Sequence, residues 1–154
     1  MPTVIHATHE ALHKVGGIGA VLQGLLTSRR YNEAIERTIL FGPMMSSSDE
    51  DQLAKAGEVL YSSMSGVDTR GLAPCFREVE ELFNVNLLYG TRRFADRATG
   101  VEAHPEILLV DGSYVNPRIT GNLKYGFYKA FGITSDRYES TGDYELYVQT
   151  AGPG

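Results

Sequence analysis

The chain has 154 residues, 42% of them hydrophobic, and a formal net charge of -5 at pH 7, which predicts one globular domain and argues against a nucleic-acid partner. Cys75 is the only cysteine, so an internal disulfide is excluded, and we expect a buried thiol in a cytoplasmic protein. No segment approaches the roughly 18 consecutive apolar residues of a membrane span, and the N-terminus lacks the features of a secretion signal.

The first half of the chain alternates between predicted strands and helices. Thr3 to Ala7 is rich in β-branched residues and predicts a strand, and apolar residues at helical spacing follow from Ile18 to Leu26. Arg37 to Phe41 predicts a second strand. Ser48 is a candidate N-cap of a helix with an acidic first turn, and Glu58 to Ser62 predicts a third strand.

The second half continues the alternation. Apolar residues between positions 72 and 83 fall on one face of a predicted helix, and the glutamates between them are expected to face water. Val85 to Tyr89 and Ile107 to Val110 are nearly continuous apolar runs, which are typical of strands buried on both faces. Asn116 followed by a proline predicts the start of a last helix, which should end at Gly132.

These elements predict an α/β fold. Parallel strands need crossover connections, and right-handed crossovers place helices over the faces of the sheet. Five strands alternating with four helices therefore predict a Rossmann-like, mainly parallel sheet with helices on both faces. We expect Thr3 to Ala7, Arg37 to Phe41, Val85 to Tyr89 and Ile107 to Val110 to be neighbouring strands.

The segment from Lys14 to Gly19, which we call the glycine loop, lies between the first strand and the first helix. Gly16 and Gly17 allow the backbone to approach a ligand closely. The N-terminus of the following helix favours an anion, and Lys14 adds a positive charge. These groups suit a pyrophosphate that becomes the leaving group of a sugar nucleotide.

The same stretch contains a competing motif, H-E-x-x-H, formed by His9, Glu10 and His13. On a helix this spacing places two imidazoles one turn apart to hold zinc, with the glutamate as general base. Gly19 stands where an extended form of the motif has a third histidine, and Gly16 and Gly17 interrupt the helix that the motif needs. A zinc metallopeptidase is therefore an alternative function, and no metal ligand is assigned.

The run HEALHKVGGIGAVLQGL resembles the N-terminal signature of glycogen synthases, in which a strand is followed by K-V-G-G-I or K-T-G-G-L and a helix. Glu10 stands four residues before Lys14, as in the animal and fungal type of these enzymes. The runs LLYGTRRF, EILLVDG and KAFGITSDRYE resemble more loosely the first domain of bacterial members. The sharp part of the resemblance is confined to the glycine loop.

The resemblance implies that residues 1–154 are an incomplete N-terminal, acceptor-side domain of a two-domain glycosyltransferase, with the donor-binding domain absent. The complete enzyme would move glucose from ADP-glucose or UDP-glucose to an α-glucan without metal or cofactor. Lys14, Gly16 and Gly17 would contact the phosphates and sugar of the donor, and His9 and Glu10 would border the site. The chain alone is expected to be inactive, and a non-enzymatic carbohydrate- or nucleotide-binding module remains a further alternative. The oligomeric state is not predicted.

Overall fold

A six-stranded sheet forms the centre of the computed structural model, which describes residues 2–154. The described residues contain eight strands, six α-helices and one 3₁₀ turn at Ser135–Arg137. In chain order the strands and helices are β1 (Thr3–Ala7), α1 (Gly17–Leu26), α2 (Arg29–Ala34), β2 (Arg37–Pro43), α3 (Asp49–Ala56), β3 (Gly57–Ser62), β4 (Val67–Asp68), α4 (Ala73–Phe83), β5 (Asn86–Arg92), β6 (Phe94–Ala95), β7 (Glu102–Ala103), β8 (Glu106–Asp111), α5 (Pro117–Phe131) and α6 (Gly142–Ala151).

The strand order of the main sheet is β1-β2-β8-β5-β3-β4. The four strands expected to be neighbours do lie side by side, and the α/β class is confirmed. The prediction of a mainly parallel sheet is wrong for one half of it: β1, β2 and β8 are parallel, but β5 is antiparallel to both β8 and β3. β5 reaches β8 through the β6–β7 hairpin rather than through a helix, and a connection without a crossover favours antiparallel strands.

One face of the sheet is covered by α1 and α3. Leu22 and Leu26 of α1 and Leu53 of α3 are buried in one apolar cluster. The sheet contributes the facing side chains of this cluster, which come from its central strands: Leu40, Leu88, Ile107 and Leu109. Burial of aliphatic side chains of this size stabilises the fold by about 1.5–3 kcal/mol each.

The opposite face is covered by α4, whose apolar residues pack against Tyr61, Leu87 and Val110. The helix presents a narrow stripe to the sheet, formed by Leu72, Phe76, Val79 and Phe83. α6 contacts β2 on this same side. Helices therefore cover both faces, as predicted.

The narrow stripe of α4 corrects three predictions. Cys75 is exposed rather than buried, and Leu82 is 59% exposed. Each immediately precedes a residue of the stripe, Phe76 or Phe83, so its side chain lies on a different face of α4. Glu80 is not merely solvated: its carboxylate accepts hydrogen bonds from Tyr61 Oη at 2.8 Å and from the N–H of Leu87 at 3.2 Å. Burial, followed by the hydrogen bond to Glu80, raises the pKa of Tyr61 to about 12.

The helix ends follow the sequence signals in α5 but not in α3. Asn116 caps α5 by accepting a hydrogen bond from the N–H of Arg118 at 3.1 Å, and Gly132 ends the helix in the left-handed conformation with φ of 69°. Ser48 lies at the N-cap position of α3, but its side chain makes no capping hydrogen bond. None of the helices within residues 2–154 has the length and apolar character needed to cross a membrane.

Candidate functional site

The candidate site lies at the carboxyl ends of β1 and β2, where the chain leaves β1 and turns towards α1. In open α/β folds, ligands bind outside the carboxyl ends of the strands. Residues 8 to 16 form turns and irregular backbone there, not a helix. The motif residues are thus held by a loop whose conformation depends on its side-chain contacts.

Glu10 is the centre of this loop. Its side chain is only 4% exposed, and Oε2 accepts hydrogen bonds from the backbone N–H groups of Val15 at 3.2 Å, Gly16 at 2.9 Å and Gly19 at 2.7 Å. The hydrogen bond from Gly16 is the largest influence on the carboxyl group, and with those from Gly19 and Val15 it outweighs burial and lowers the pKa of Glu10. The resemblance implied only a border role for this residue, whereas the structure makes it the internal anchor of the glycine loop.

This arrangement corrects the expectation for the helix N-terminus. We expected the first N–H groups of α1 to await an external anion, but Glu10 already occupies those of Gly16 and Gly19. Within residues 2–154 no acceptor contacts the N–H groups of Gly17 and Ile18, which are the first two helical residues. Among the N–H groups at the start of α1, those of Gly17 and Ile18 are therefore the ones left to bind a ligand.

Lys14 lies in the same loop as these free groups, three and four residues before Gly17 and Ile18. It is exposed, and no ion pair or hydrogen bond engages its side chain within the described residues. Gly16 and Gly17 are exposed as well, and a side chain added at Gly17 would meet open space. All three residues predicted to bind substrate, Lys14, Gly16 and Gly17, are therefore accessible to a ligand, and their role in binding stays a prediction.

Gly19 lies inside α1 at a position where there is no space for a side chain. A Cβ atom at this position would lie 2.5 Å from Glu10 Oε2 and 3.0 Å from the Cα atom of Lys14. Such distances are far inside van der Waals contact, so any larger residue would displace either the carboxylate or the backbone of Lys14. The close approach ties the position of Lys14 to that of Glu10.

His9 links the loop to α6. Its Nδ1 atom lies 2.8 Å from Tyr147 Oη, and its Nε2 atom lies 3.7 Å from Glu10 Oε1. The rings of His9 and Tyr147 meet edge to face, with their centroids 6.3 Å apart. His9 is therefore at the border of the site, between the glycine loop and the last helix.

His13 points in another direction and contacts α3. Its Nε2 atom lies 2.8 Å from Oδ1 of the fully buried Asp49, whose Oδ2 accepts the N–H of Met45 at 2.8 Å. Sequence reasoning missed Asp49, because an acidic residue in the first turn of a helix is an ordinary complement to the helix dipole. His13 and Asp49 hold the loop against α3, which is a structural role.

The zinc alternative lacks the geometry that its motif requires. Two histidines can share a metal through H-E-x-x-H only when a helix places them one turn apart on one face. His9 and His13 lie on a non-helical loop and contact different helices. In the part of the chain that the structure describes, no three His, Cys, Asp or Glu side chains are grouped to hold a metal ion.

Arg92, the last residue of β5, supports the loop. Its guanidinium donates to the backbone oxygen of Ala11 at 3.3 Å and lies 4.6 Å from the ring centroid of Phe94. Burial lowers the pKa of Arg92. Ala11, adjacent to Glu10, is itself buried, as is Leu12, so the loop is attached to the core directly after the glutamate.

A cavity of about 370 Å³ opens beside the loop. Its walls are mainly apolar and come from β1, β2, α1 and α6, with polar groups from Thr8, His9, Tyr147 and Thr150. Small-molecule sites commonly combine apolar walls with a few convergent polar groups. The cavity is therefore the best candidate binding site, and the glycine loop contributes Ile18 to its wall.

Comparison of the chain with known protein-family models, curated proteins and solved structures gave no match. The class that the fold and the site define is an α/β domain with a glycine loop at the carboxyl ends of its parallel strands. Any narrower assignment depends on the chemistry of that loop.

Proposed function

We propose that this chain is the acceptor-side part of a glycosyltransferase that uses a nucleotide sugar, with glucose moving from ADP-glucose or UDP-glucose to an α-glucan in the complete enzyme. The observation that carries the proposal is an exposed Lys14 in the same loop as the N–H groups of Gly17 and Ile18, which have no acceptor within residues 2–154. A lysine and two amide donors at a helix N-terminus favour a phosphate.

The electrostatics of the loop limit how tightly it would bind the donor. Lys14, Gly17 and Ile18 offer about three hydrogen bonds to an anion, each worth roughly 1.5 kcal/mol net. Their sum of about 4.5 kcal/mol corresponds to a Kd of about 0.5 mM. Because Glu10 uses the other amides of the loop, tight donor binding requires further groups, which the resemblance assigns to a second domain.

The cavity supports the acceptor side of the proposal. Tyr147 offers an aromatic wall, while His9 and Thr8 offer polar atoms at the same opening. A sugar ring has apolar faces and polar edges, so such a wall suits it. The same features fit a non-enzymatic carbohydrate-binding module, which is the second candidate function.

Binding can be mapped residue by residue through the amide resonances of the chain. We expect ADP-glucose to shift the resonances of Gly17 and Ile18, and maltoheptaose to shift those of Thr8 and His9. Lys14→Ala should abolish the first set and spare the second. Lys55→Ala, which removes an exposed lysine from α3, is the matched control. Nucleotide-sugar shifts that persist in Lys14→Ala would contradict the proposal.

Activity separates the two candidate functions. Transfer between donor and acceptor depends on holding both in one geometry, so we expect no glucose transfer by this chain alone. An enzyme containing this domain should transfer glucose, whereas a binding module would bind maltoheptaose without responding to ADP-glucose. Glucose transfer by the purified chain would disprove the expectation that a second domain is needed.

A further inference from the structure

β1 is one of the two outer strands of the main sheet, and within residues 2–154 it pairs only with β2. An outer strand has a row of backbone N–H and C=O groups without partners, which form a template for another strand. The proposed glycosyltransferase activity does not use this edge. The backbone groups of this edge are therefore available for a separate role.

The hydrogen bonds to β2 identify which groups face outwards. The oxygen of Pro2 accepts the N–H of Glu36 at 3.2 Å, and the N–H of Thr8 donates to the oxygen of Phe41 at 2.8 Å. In a parallel pair, alternate residues bond to the same neighbour, so the even-numbered residues of β1 bond to β2. The N–H and C=O groups of Thr3, Ile5 and Ala7 point to the free edge.

The free edge carries none of the features that commonly prevent strand pairing. Thr3–Ala7 contains no Lys, Arg, Asp or Glu and no proline, whereas charges, prolines and short strands usually protect edges. Ile5 is 63% exposed. The other edge of the sheet differs, because β4 has only two residues and one of them is charged Asp68.

Among the described residues, two helices lie near this edge: α2, whose Tyr31 Oη is 2.9 Å from His6 Nε2 and which carries Arg29, Arg30 and Glu33, and α1 at the carboxyl end of β1. No charged residue occurs in α1, and Val21 is 69% exposed. Ile18, also exposed, lines the same cavity as Ala7 of β1. The whole chain has a net charge of -5, whereas β1 and α1 carry no charged residue, so these two elements add no repulsion between two copies.

We infer that β1 pairs with β1 of a second copy of this chain, antiparallel and centred on Ile5. In that register Ile5 lies opposite Ile5 of the second copy, and Thr3 lies opposite Ala7. Each of these pairs exchanges two hydrogen bonds, so every outward N–H and C=O group of Thr3, Ile5 and Ala7 acquires a partner. No other centre of symmetry pairs all three residues.

The same register also places apolar side chains of the two copies opposite one another. Residues opposite one another in a sheet share a face, so the exposed Ile5 packs against its symmetry mate. Val4 lies opposite His6 in the intervening pairs. The result is one continuous sheet across both copies, with an isologous interface.

Ile5→Pro gives a sharp test, because the N–H of Ile5 points outwards and has no acceptor among the described residues. Proline is tolerated on an outer strand when its missing N–H faces solvent, so the fold should persist. Sedimentation equilibrium should give a dimer for the wild type and a dissociation constant at least tenfold higher for Ile5→Pro. Leu82→Lys, which adds a charge to an exposed site on α4, should leave the dimer unchanged.

Amide hydrogen exchange of the wild type tests the same strand pairing without a mutation, and it therefore applies even if Ile5→Pro fails to fold. The amides of Val4, His6 and Thr8 should be protected at every protein concentration, since they bond to β2. The amides of Ile5 and Ala7 should become protected only as the concentration rises. A wild-type monomer at all concentrations, or a dimer in which these two amides stay unprotected, would overturn the inference.

Discussion

The N–H of Gly19 donates to Glu10 Oε2 at 2.7 Å, so the glycine loop closes on a side chain of its own protein. Val15 and Gly16 donate to the same oxygen. The carboxylate thereby takes the place that an anionic ligand has at other helix N-termini. Lys14 lies inside this closed loop, and its Cα atom would be only 3.0 Å from a Cβ atom at Gly19.

Replacing this carboxylate should affect stability in a pH-dependent manner. The folded pKa of Glu10 lies below its ordinary value of 4.5, so the stabilisation by the carboxylate is fully present above that pH. It is lost as the pH falls through the lowered folded pKa. We therefore expect Glu10→Gln to be less stable than the wild type at neutral pH, with the difference shrinking under acid conditions. Urea unfolding of both proteins across this range measures the effect.

Glu33→Gln is the control, since Glu33 is an exposed glutamate on α2. Its stability difference from the wild type should be within about 0.5 kcal/mol and should not follow the same pH dependence. A Glu10→Gln difference that stays constant from neutral to acid pH would argue against an ionised anchor.

Two glycines of the loop allow a matched comparison of backbone space. Gly19→Ala would put a methyl group 2.5 Å from Glu10 Oε2, and overpacking of this kind costs about 1–3 kcal/mol. Gly17→Ala meets no atom within 4 Å and should be neutral or stabilising by up to about 1 kcal/mol, because alanine favours helix. Thermal unfolding distinguishes them. Equal stability of the two variants would mean that the loop is not closed around Glu10.

Asp49 should be more important for stability than its place in an acidic helix turn indicates. Asp49→Ala leaves His13 and the N–H of Met45 without their partner in a buried position, which costs about 2–4 kcal/mol. Asp51→Ala removes an exposed acid from the same helix turn and should change the free energy of unfolding by no more than about 0.5 kcal/mol. Urea denaturation of both variants measures the contrast. If both lost equal stability, the helix dipole and not the buried contacts would explain the role of Asp49.

Local sequence signals identified the elements whose ends are chemically marked. β1 was predicted with its observed bounds, Thr3–Ala7, because a β-branched run meets a glycine-rich turn. The last long helix was predicted from Asn116 to Gly132, since both capping residues act locally. Elements that exist mainly through tertiary contacts were missed, among them α2, α6 and the β6–β7 hairpin.

The direction of β5 and the function of the loop needed information that is not local. A strand covered by helices on both faces has the same apolar run whether it is parallel or antiparallel, so the pattern of β5 gave no direction. The stretch His9–His13 fits zinc if it is helical and a turn if it is not. The turn is stabilised by the hydrogen bonds from the amides of Gly16 and Gly19 to Glu10. The spacing of residues in the sequence does not reveal these bonds.

The last prediction concerns Lys14, whose side chain is exposed and makes no ion pair within residues 2–154. In an enzyme built on this domain, Lys14→Ala should lower kcat/KM by roughly tenfold or more, equivalent to about 1.4 kcal/mol of transition-state stabilisation. Lys14→Arg should retain more activity because it keeps the positive charge beside Gly16 and Gly17. The free energy of unfolding should change by no more than about 0.5 kcal/mol in either variant, so that lost activity is separable from lost fold. Full activity of Lys14→Ala, with unchanged stability, would exclude a phosphate contact for this lysine.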